Sequence, residues 1–409
     1  MYITNYIMQR GNLTDIKNSF NNNNYIKNIK NSSILSKFNK EKDIFYNFVI
    51  EHKYKTIPSI FLFICIILYF KYIYRRVPRY LKLFNKYNNI FNIKPINKCK
   101  NIIDNNYRLC DFYIASSYKS YLPCNNFYDF SSTLAIEKVL MYGARYIDLD
   151  IYNKNFNQCT IPVVCNGKEI GNWHWTTTIL FENVCDTISK TAFSDNIRNN
   201  TDPLFINLNL YINLNIQTAD EIARILIKYF DHRLLPREYS YYGSNPNPNL
   251  FINIATTPIK KLLNKIIIIC NNGFQHSKLE ELVNISNKIN GNYRTLTYSE
   301  IKESYDINEL TNYNKKNLTN VTIDNIYRKK QNFHYFTPLY TGSQFICMDY
   351  FCHDEYMKSY LKKFKDYSFI LKPLKLRYKP TKINPPKLQN PKVSFAPQKI
   401  TTPIYSITY

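Results

Sequence analysis

Tyr146-Ile-Asp-Leu-Asp-Ile151 is a short run dominated by apolar residues, and two more lie downstream, Leu204–Leu210 (LFINLNL) and Lys265–Cys270 (KIIIIC). Between those two, Ala219–Phe230 (ADEIARILIKYF) repeats its apolar residues at helical spacing. Strand, helix and strand in succession predict an α/β fold with parallel pairing. The pattern starts near Asn105 and stops near Arg377, within a chain of 409 residues that can hold one large domain with extensions or two ordinary ones.

A formal net charge of +24 points to an anionic partner, which means nucleic acid or the cytoplasmic face of a membrane. Part of that basicity reflects a skewed composition, with 37 Tyr, only 8 Gly and many Asn, Ile and Lys. No RNA- or DNA-binding signature is present, so no nucleic acid is expected. The 10 Cys form neither a CxxC pair nor a zinc spacing and read as free thiols of a reducing compartment.

Residues 1–55 are rich in Asn and Lys, include the run Asn21–Asn24 and lack the features of a signal peptide. A loosely ordered tail with some helix is expected there. Thr56–Phe70 (TIPSIFLFICIILYF) then carries no charge. A snorkelling Lys71 extends it through Tyr74, giving roughly 28 Å of helix, enough to span a bilayer core. The alternative is a buried core helix, which would normally show a polar face; Ile60–Phe70 shows none apart from Cys65.

Lys71, Arg75, Arg76, Arg79, Lys82 and Lys86 follow this stretch. Such a cluster places the C-terminal bulk on the cytosolic side of a single-pass protein and attracts anionic headgroups. The expected organisation is a tail (1–55), a membrane-anchor helix (56–74), a basic linker (75–104), the α/β domain (105–377) and a disordered, extended Pro/Lys-rich tail (378–409).

Five separated stretches, taken in order, resemble the blocks of phosphoinositide-specific phospholipase C. They are Tyr113–Leu122 (YIASSYKSYL), Gly143–Asp150 (GARYIDLD), Pro162–Gly167 (PVVCNG) with the helix Phe181–Ile188 after it, Pro203–Leu210 (PLFINLNL), and Gly342–Arg377, with its GSQFICMDYF and YSFILKPLKLR segments. Any one alone is a weak signal; five in order, drawn from both halves of the family's barrel, are a strong one. The resemblance implies a (β/α)8 TIM-type barrel of the phospholipase C-like phosphodiesterase kind, with its site at the C-terminal ends of the strands. It further implies cleavage of a phosphodiester in a phosphatidylinositol lipid, assisted by calcium.

The family's two histidine positions correspond here to Tyr118 and Asn166. A phenol is a poor base at neutral pH and an amide does not titrate, and each lost acid–base group costs roughly a hundredfold to ten-thousandfold. The family's calcium-ligand positions correspond to Lys119, Asp148, Asp150 and Asn209. Calcium wants six to eight oxygen ligands, so an ammonium there predicts no bound metal and no cofactor. Lys119 is instead expected to pair with Asp148 or Asp150; a purely structural role for the two acids stands beside that reading.

The family's phosphate-binding positions correspond to Ile269, Asn271, Asn320 and Thr322. Only Ser299 keeps the family's residue for substrate binding. His174, between two Trp, could replace a lost acid or simply pack there.

The leading expectation is a catalytically degenerate phospholipase C-like barrel that binds or scaffolds at a membrane. Its partners would be an anionic lipid surface, with phosphatidylinositol as a candidate, and a protein. The rival expectation is a calcium-independent phosphodiesterase acting on a simpler headgroup with His174 and Lys119.

Overall fold

The computed structural model describes residues 33–51, 57–71, 93–99, 106–123, 130–154, 160–168, 173–241, 252–288, 292–324, 331–379 and 395–409. The chain divides into two compact units, 1–85 and 86–409.

The first unit contains a helix at Ser33–Glu51 and a second at 57–71, whose large apolar side chains are exposed all round. The expected membrane-spanning helix over 56–74 is not seen. Among the described residues no helix is long and apolar enough to cross a membrane. The described part of that span, residues 57–71, gives roughly 22 Å of helix against a hydrocarbon core of about 30 Å, and residues 56 and 72–74 lie outside the described residues. The basic stretch carrying Arg75, Arg76, Arg79, Lys82 and Lys86 lies outside the described residues.

The second unit is built on the strands β1 (Phe112–Ser117), β2 (Tyr146–Asn153), β3 (Pro162–Val164), β4 (Gly167–Lys168), β5 (Trp173–His174), β6 (Ile179–Leu180), β7 (Leu204–Tyr211), β8 (Ile266–Cys270), β9 (Val283–Ile285), β10 (Tyr293–Thr297), β11 (Leu318–Thr322), β12 (Phe345–Met348) and β13 (Phe369–Leu371). Eight of them run side by side in the order β10-β11-β12-β1-β2-β7-β8-β9, every pairing along this path parallel. Among the described residues no ladder joins β9 to β10, so the barrel is nearly closed. β13 adds antiparallel to β1, and β3 with β6 extends β2 on its other side.

Alternation along the strands explains why the sheet curls into a barrel. Phe112, Ile114, Tyr146, Phe205, Ile267, Ile269, Phe345 and Cys347 fill the interior, while Ala115, Ile147, Leu149, Ile206, Leu208 and Ile346 meet the surrounding helices. Strands buried on both faces read as continuous apolar runs, which is the pattern of β7 and β8. The helix Ile216–Phe230 starts where the Asn215 side chain accepts from Thr218 N, and it packs Ala219, Ile222, Ala223, Leu226 and Phe230 against the sheet at helical spacing. Its neighbour Phe181–Thr191 buries Phe181, Val184, Cys185 and Ile188 in the same way.

The second half is less regular than one helix per strand. A 3-10 turn at Lys278–Glu281 stands between β8 and β9. The described cysteines are free thiols, most of them buried. The C-terminal tail, expected to be extended throughout, ends in a hairpin of β14 (Lys399–Thr401) and β15 (Ser406–Thr408). Its proline-rich part, 380–394, lies outside the described residues.

Candidate functional site

The barrel interior changes character from one end to the other. On the inward face of β2 the residues run Tyr146, Asp148, Asp150; on β7 they run Phe205, Asn207, Asn209. The parallel register sets Asp148 beside Asn207 and Asp150 beside Asn209. Aromatic rings therefore close the N-terminal end, and carboxylates and amides collect at the C-terminal end, where barrels of this architecture carry their sites.

β1 delivers the cation. Just past its end Lys119 adopts φ +40°, a left-handed conformation that costs a residue with a Cβ roughly 1–2 kcal/mol. Hydrogen bonds hold it there: Lys119 N donates to Asp148 Oδ2 at 3.0 Å, Ser120 N donates to the Asp148 carbonyl at 3.0 Å, and Asp148 N donates to Ser120 Oγ at 3.0 Å. The bend turns the side chain inward. Its ammonium lies 2.9 Å from Asp150 Oδ2 and donates to Asn166 Oδ1 at 2.7 Å.

Both carboxylates are otherwise engaged by donors. Asp148 Oδ1 accepts from Asn207 Nδ2 at 2.8 Å and from Asn209 Nδ2 at 2.9 Å. Asp150 accepts from Tyr121 OH and from Asn209 Nδ2, each at 2.9 Å. Burial, the like charge of Asp150 adding to it, raises Asp148 above the usual carboxylate range. Burial opposes the charge on Lys119, but Asp150 outweighs it and holds the ammonium above the ordinary lysine value.

A calcium ion does not fit these residues. Asp150 already faces an ammonium, the amide of Asn209 presents its N–H groups to both acids, and a divalent cation at this point would meet positive charge where it needs oxygen. Among the described residues no group of three or more His, Cys, Asp or Glu could hold a metal ion.

Tyr118 and Asn166 stand at this end of the barrel, and neither can accept a proton near neutrality. Burial and the charges of Asp150, Asp148 and Asp349 push the Tyr118 phenol well above its usual value. Asn166 is fixed by Thr176, whose Oγ1 accepts from its backbone N–H at 2.9 Å. Gly167 follows because a Cβ there would collide with the carbonyl of Trp173 in the β4–β5 ribbon. His174 pairs with Gly167 in that ribbon, and its ring meets Tyr152 edge-on at 5.6 Å. Burial lowers its pKa, and among the described residues no hydrogen bond or ion pair links it to Lys119, Asp148 or Asp150.

Ser299 does not join the cluster, because its hydroxyl donates to Asp324 Oδ2 at 2.9 Å. Ile269 is a core residue, Asn271 accepts from Asn287 N at 3.0 Å, and Asn320 accepts from Cys347 Sγ at 3.0 Å. No cation stands at these positions or at Thr322. Asn207 and Tyr121 were not singled out in the sequence, although Asn207 precedes Asn209 by two and so shares its face. Asn166 Nδ2 and Asn207 Oδ1 are buried without partners among the described residues, one donor and one acceptor beside the Lys119 network.

The model of the phosphatidylinositol-specific phospholipase C X domain matches residues 105–272, the segment that supplies Lys119, Asp148, Asp150, Asn166 and Asn209. Residues 105–272 are a divergent match to that domain. Human 1-phosphatidylinositol 4,5-bisphosphate phosphodiesterase eta-1 is 30% identical over 126 residues, which is 31% of this chain and 7% of the relative. The mouse protein of the same name is 34% identical over 88 residues, 22% of this chain and 5% of the relative. The chain thus spans a small fraction of the curated relatives it matches.

Among solved structures, PLC21 of L. pealei superposes with a TM-score of 0.53 at 19% identity, over 66% of this chain and 38% of that one. PLC21 of S. officinalis gives 0.54 at 18% identity, with the same coverage. At these identities the likeness speaks for the barrel fold alone.

Proposed function

We propose that this barrel has lost the family's hydrolytic chemistry and serves to bind or scaffold at an anionic, phosphatidylinositol-containing membrane surface. The observation that carries the reading is the Lys119 ammonium held between Asp150 and Asn166. A fixed cation of the protein takes up the charge of the acids, so the site is complete without a metal. Attack on a phosphodiester needs a proton acceptor, a donor for the leaving alkoxide and positive charge facing the phosphoryl oxygens. Tyr118 stays protonated and cannot serve as the acceptor, the Asn166 amide does not titrate, and the charge of Lys119 is directed at a carboxylate.

The membrane part of the reading draws on the +24 net charge and on the exposed apolar helix 57–71, which is followed in sequence by a basic cluster. Nothing in the geometry favours the rival in which His174 supplies the acid. The test is to give the full chain vesicles containing phosphatidylinositol and to measure both sedimentation with the vesicles and release of inositol phosphates. Binding without release supports the proposal. Release above the protein-free rate overturns it.

A further inference from the structure

The last residues of the chain form a hairpin with two unlike faces. Ile400 and Ile407 stand directly opposite each other across the ladder, and Tyr405 and Tyr409, two residues either side of Ile407, share their face. The opposite face carries Lys399, Thr401, Ser406 and Thr408. Both ends are closed, by Gln398 N to the Tyr409 carbonyl at 2.8 Å and by Thr402 N to the Tyr405 carbonyl at 2.8 Å. Between the strands Pro403 and Ile404 form the tip.

Among the described residues the apolar face has no cover. Ile400 is 47% exposed, Ile407 53%, Tyr405 55%, Tyr409 66% and the tip residue Ile404 94%. An isolated two-stranded hairpin is marginal in water, so an arrangement of this kind calls for a surface to lie against.

Charge selects which surface. From Tyr378 to the end the chain carries Lys379, Lys382, Lys387, Lys392 and Lys399 and no Asp or Glu. Two such tails repel each other, whereas an anionic plane attracts the net positive charge of the tail. Tyrosine rings with a polar tip, next to isoleucine, suit the boundary between headgroups and acyl chains.

We propose that this hairpin is a membrane contact in its own right, laying Ile400, Ile404, Tyr405, Ile407 and Tyr409 into the surface of an anionic bilayer, with the charge of Lys399 within the field of the headgroups. It deepens the membrane part of the function proposed above and is independent of the barrel's chemistry.

The experiment is sedimentation of the full chain with phosphatidylserine–phosphatidylcholine vesicles and, separately, with phosphatidylcholine alone. The wild type should bind the anionic vesicles more tightly, and added salt should weaken that binding. Ile404→Asp should lower the affinity about tenfold by removing the inserted tip, and Lys399→Gln roughly fivefold. Lys399→Gln keeps the apolar face, so a deficit in both variants does not reduce to a hairpin that fails to form.

Wild-type affinity in both variants overturns the hairpin contact and leaves the broader membrane reading standing on other parts of the chain. Failure of the wild type to bind anionic vesicles overturns both. A dimer in size-exclusion chromatography that Ile404→Asp dissolves, with vesicle binding unchanged, would assign the face to a second copy and overturn the lipid assignment.

Discussion

Asp150 is neutralised by Lys119, whose ammonium lies 2.9 Å from its Oδ2 inside the C-terminal end of the barrel. Asp150 is 2% exposed at its side chain and Lys119 17%. The pair is buried, and its two halves depend on each other. Lys119→Met should therefore destabilise the fold by roughly 3–5 kcal/mol in urea unfolding, because it strands two adjacent buried acids. Lys119→Met combined with Asp150→Asn should recover most of that loss. A single-mutant cost below about 1 kcal/mol would show that solvent, not Lys119, compensates the acids.

The backbone at this position carries its own signature. With Lys119 at φ +40°, Lys119→Gly should be about 1 kcal/mol more stable than Lys119→Ala, reversing the usual order of the two residues. Equal stability would mean that the bend relaxes once the side chain is removed.

The misfit to calcium predicts a thermal-shift result. Millimolar calcium should leave the melting temperature of the natural chain unchanged. The double variant Lys119→Asn with Asn209→Glu removes the ammonium and adds an acid, and calcium should raise its melting temperature. A calcium-induced rise in the natural chain would contradict the account of the site.

Two buried groups elsewhere set the pH dependence of stability. Asp202, which accepts from Ile96 N at 2.8 Å, is pushed up by burial to about 7. The folded chain therefore holds its proton above the pH at which the unfolded chain releases it. This contribution is full below the ordinary carboxylate pKa and is lost as pH rises through about 7. Lys372 is pushed down by burial to about 7, its ammonium donating to the Asn314 carbonyl at 3.2 Å. Its contribution is present above the ordinary lysine pKa and is lost as pH falls through about 7. Urea unfolding at pH 5, 7 and 9 should show that Asp202→Asn flattens the fall from 5 to 7, on the order of 2 kcal/mol, and that Lys372→Met flattens the rise from 7 to 9. Unchanged profiles in both variants would contradict these assignments.

The barrel was legible where strands are buried on both faces. The runs Tyr146–Ile151, Leu204–Leu210 and Lys265–Cys270 became β2, β7 and β8 within a residue or two, because continuous apolar sequence leaves few other choices. The pairing of Lys119 with an acid was foreseen as an alternative, since a cation at a position for an anion-seeking metal must find anions nearby. Asn207 and Tyr121 were missed because they act through alternation and through the bend at Lys119. The partner of Ser299, Asp324, comes close only when β10 and β11 pair. The span expected over 56–74 is not seen among the described residues, and the hairpin at the end of the chain was hidden by the prolines before it.

The central proposal is that a protein-borne cation, Lys119, stands in for the family's metal, and that the family's acid–base groups are lost at Tyr118 and Asn166. The most direct test is a time course of inositol phosphate release from phosphatidylinositol vesicles by the folded full-length chain, with calcium and with chelator. The account predicts no release above the protein-free control in either condition. Steady turnover, and above all turnover that disappears in His174→Ala, would contradict it.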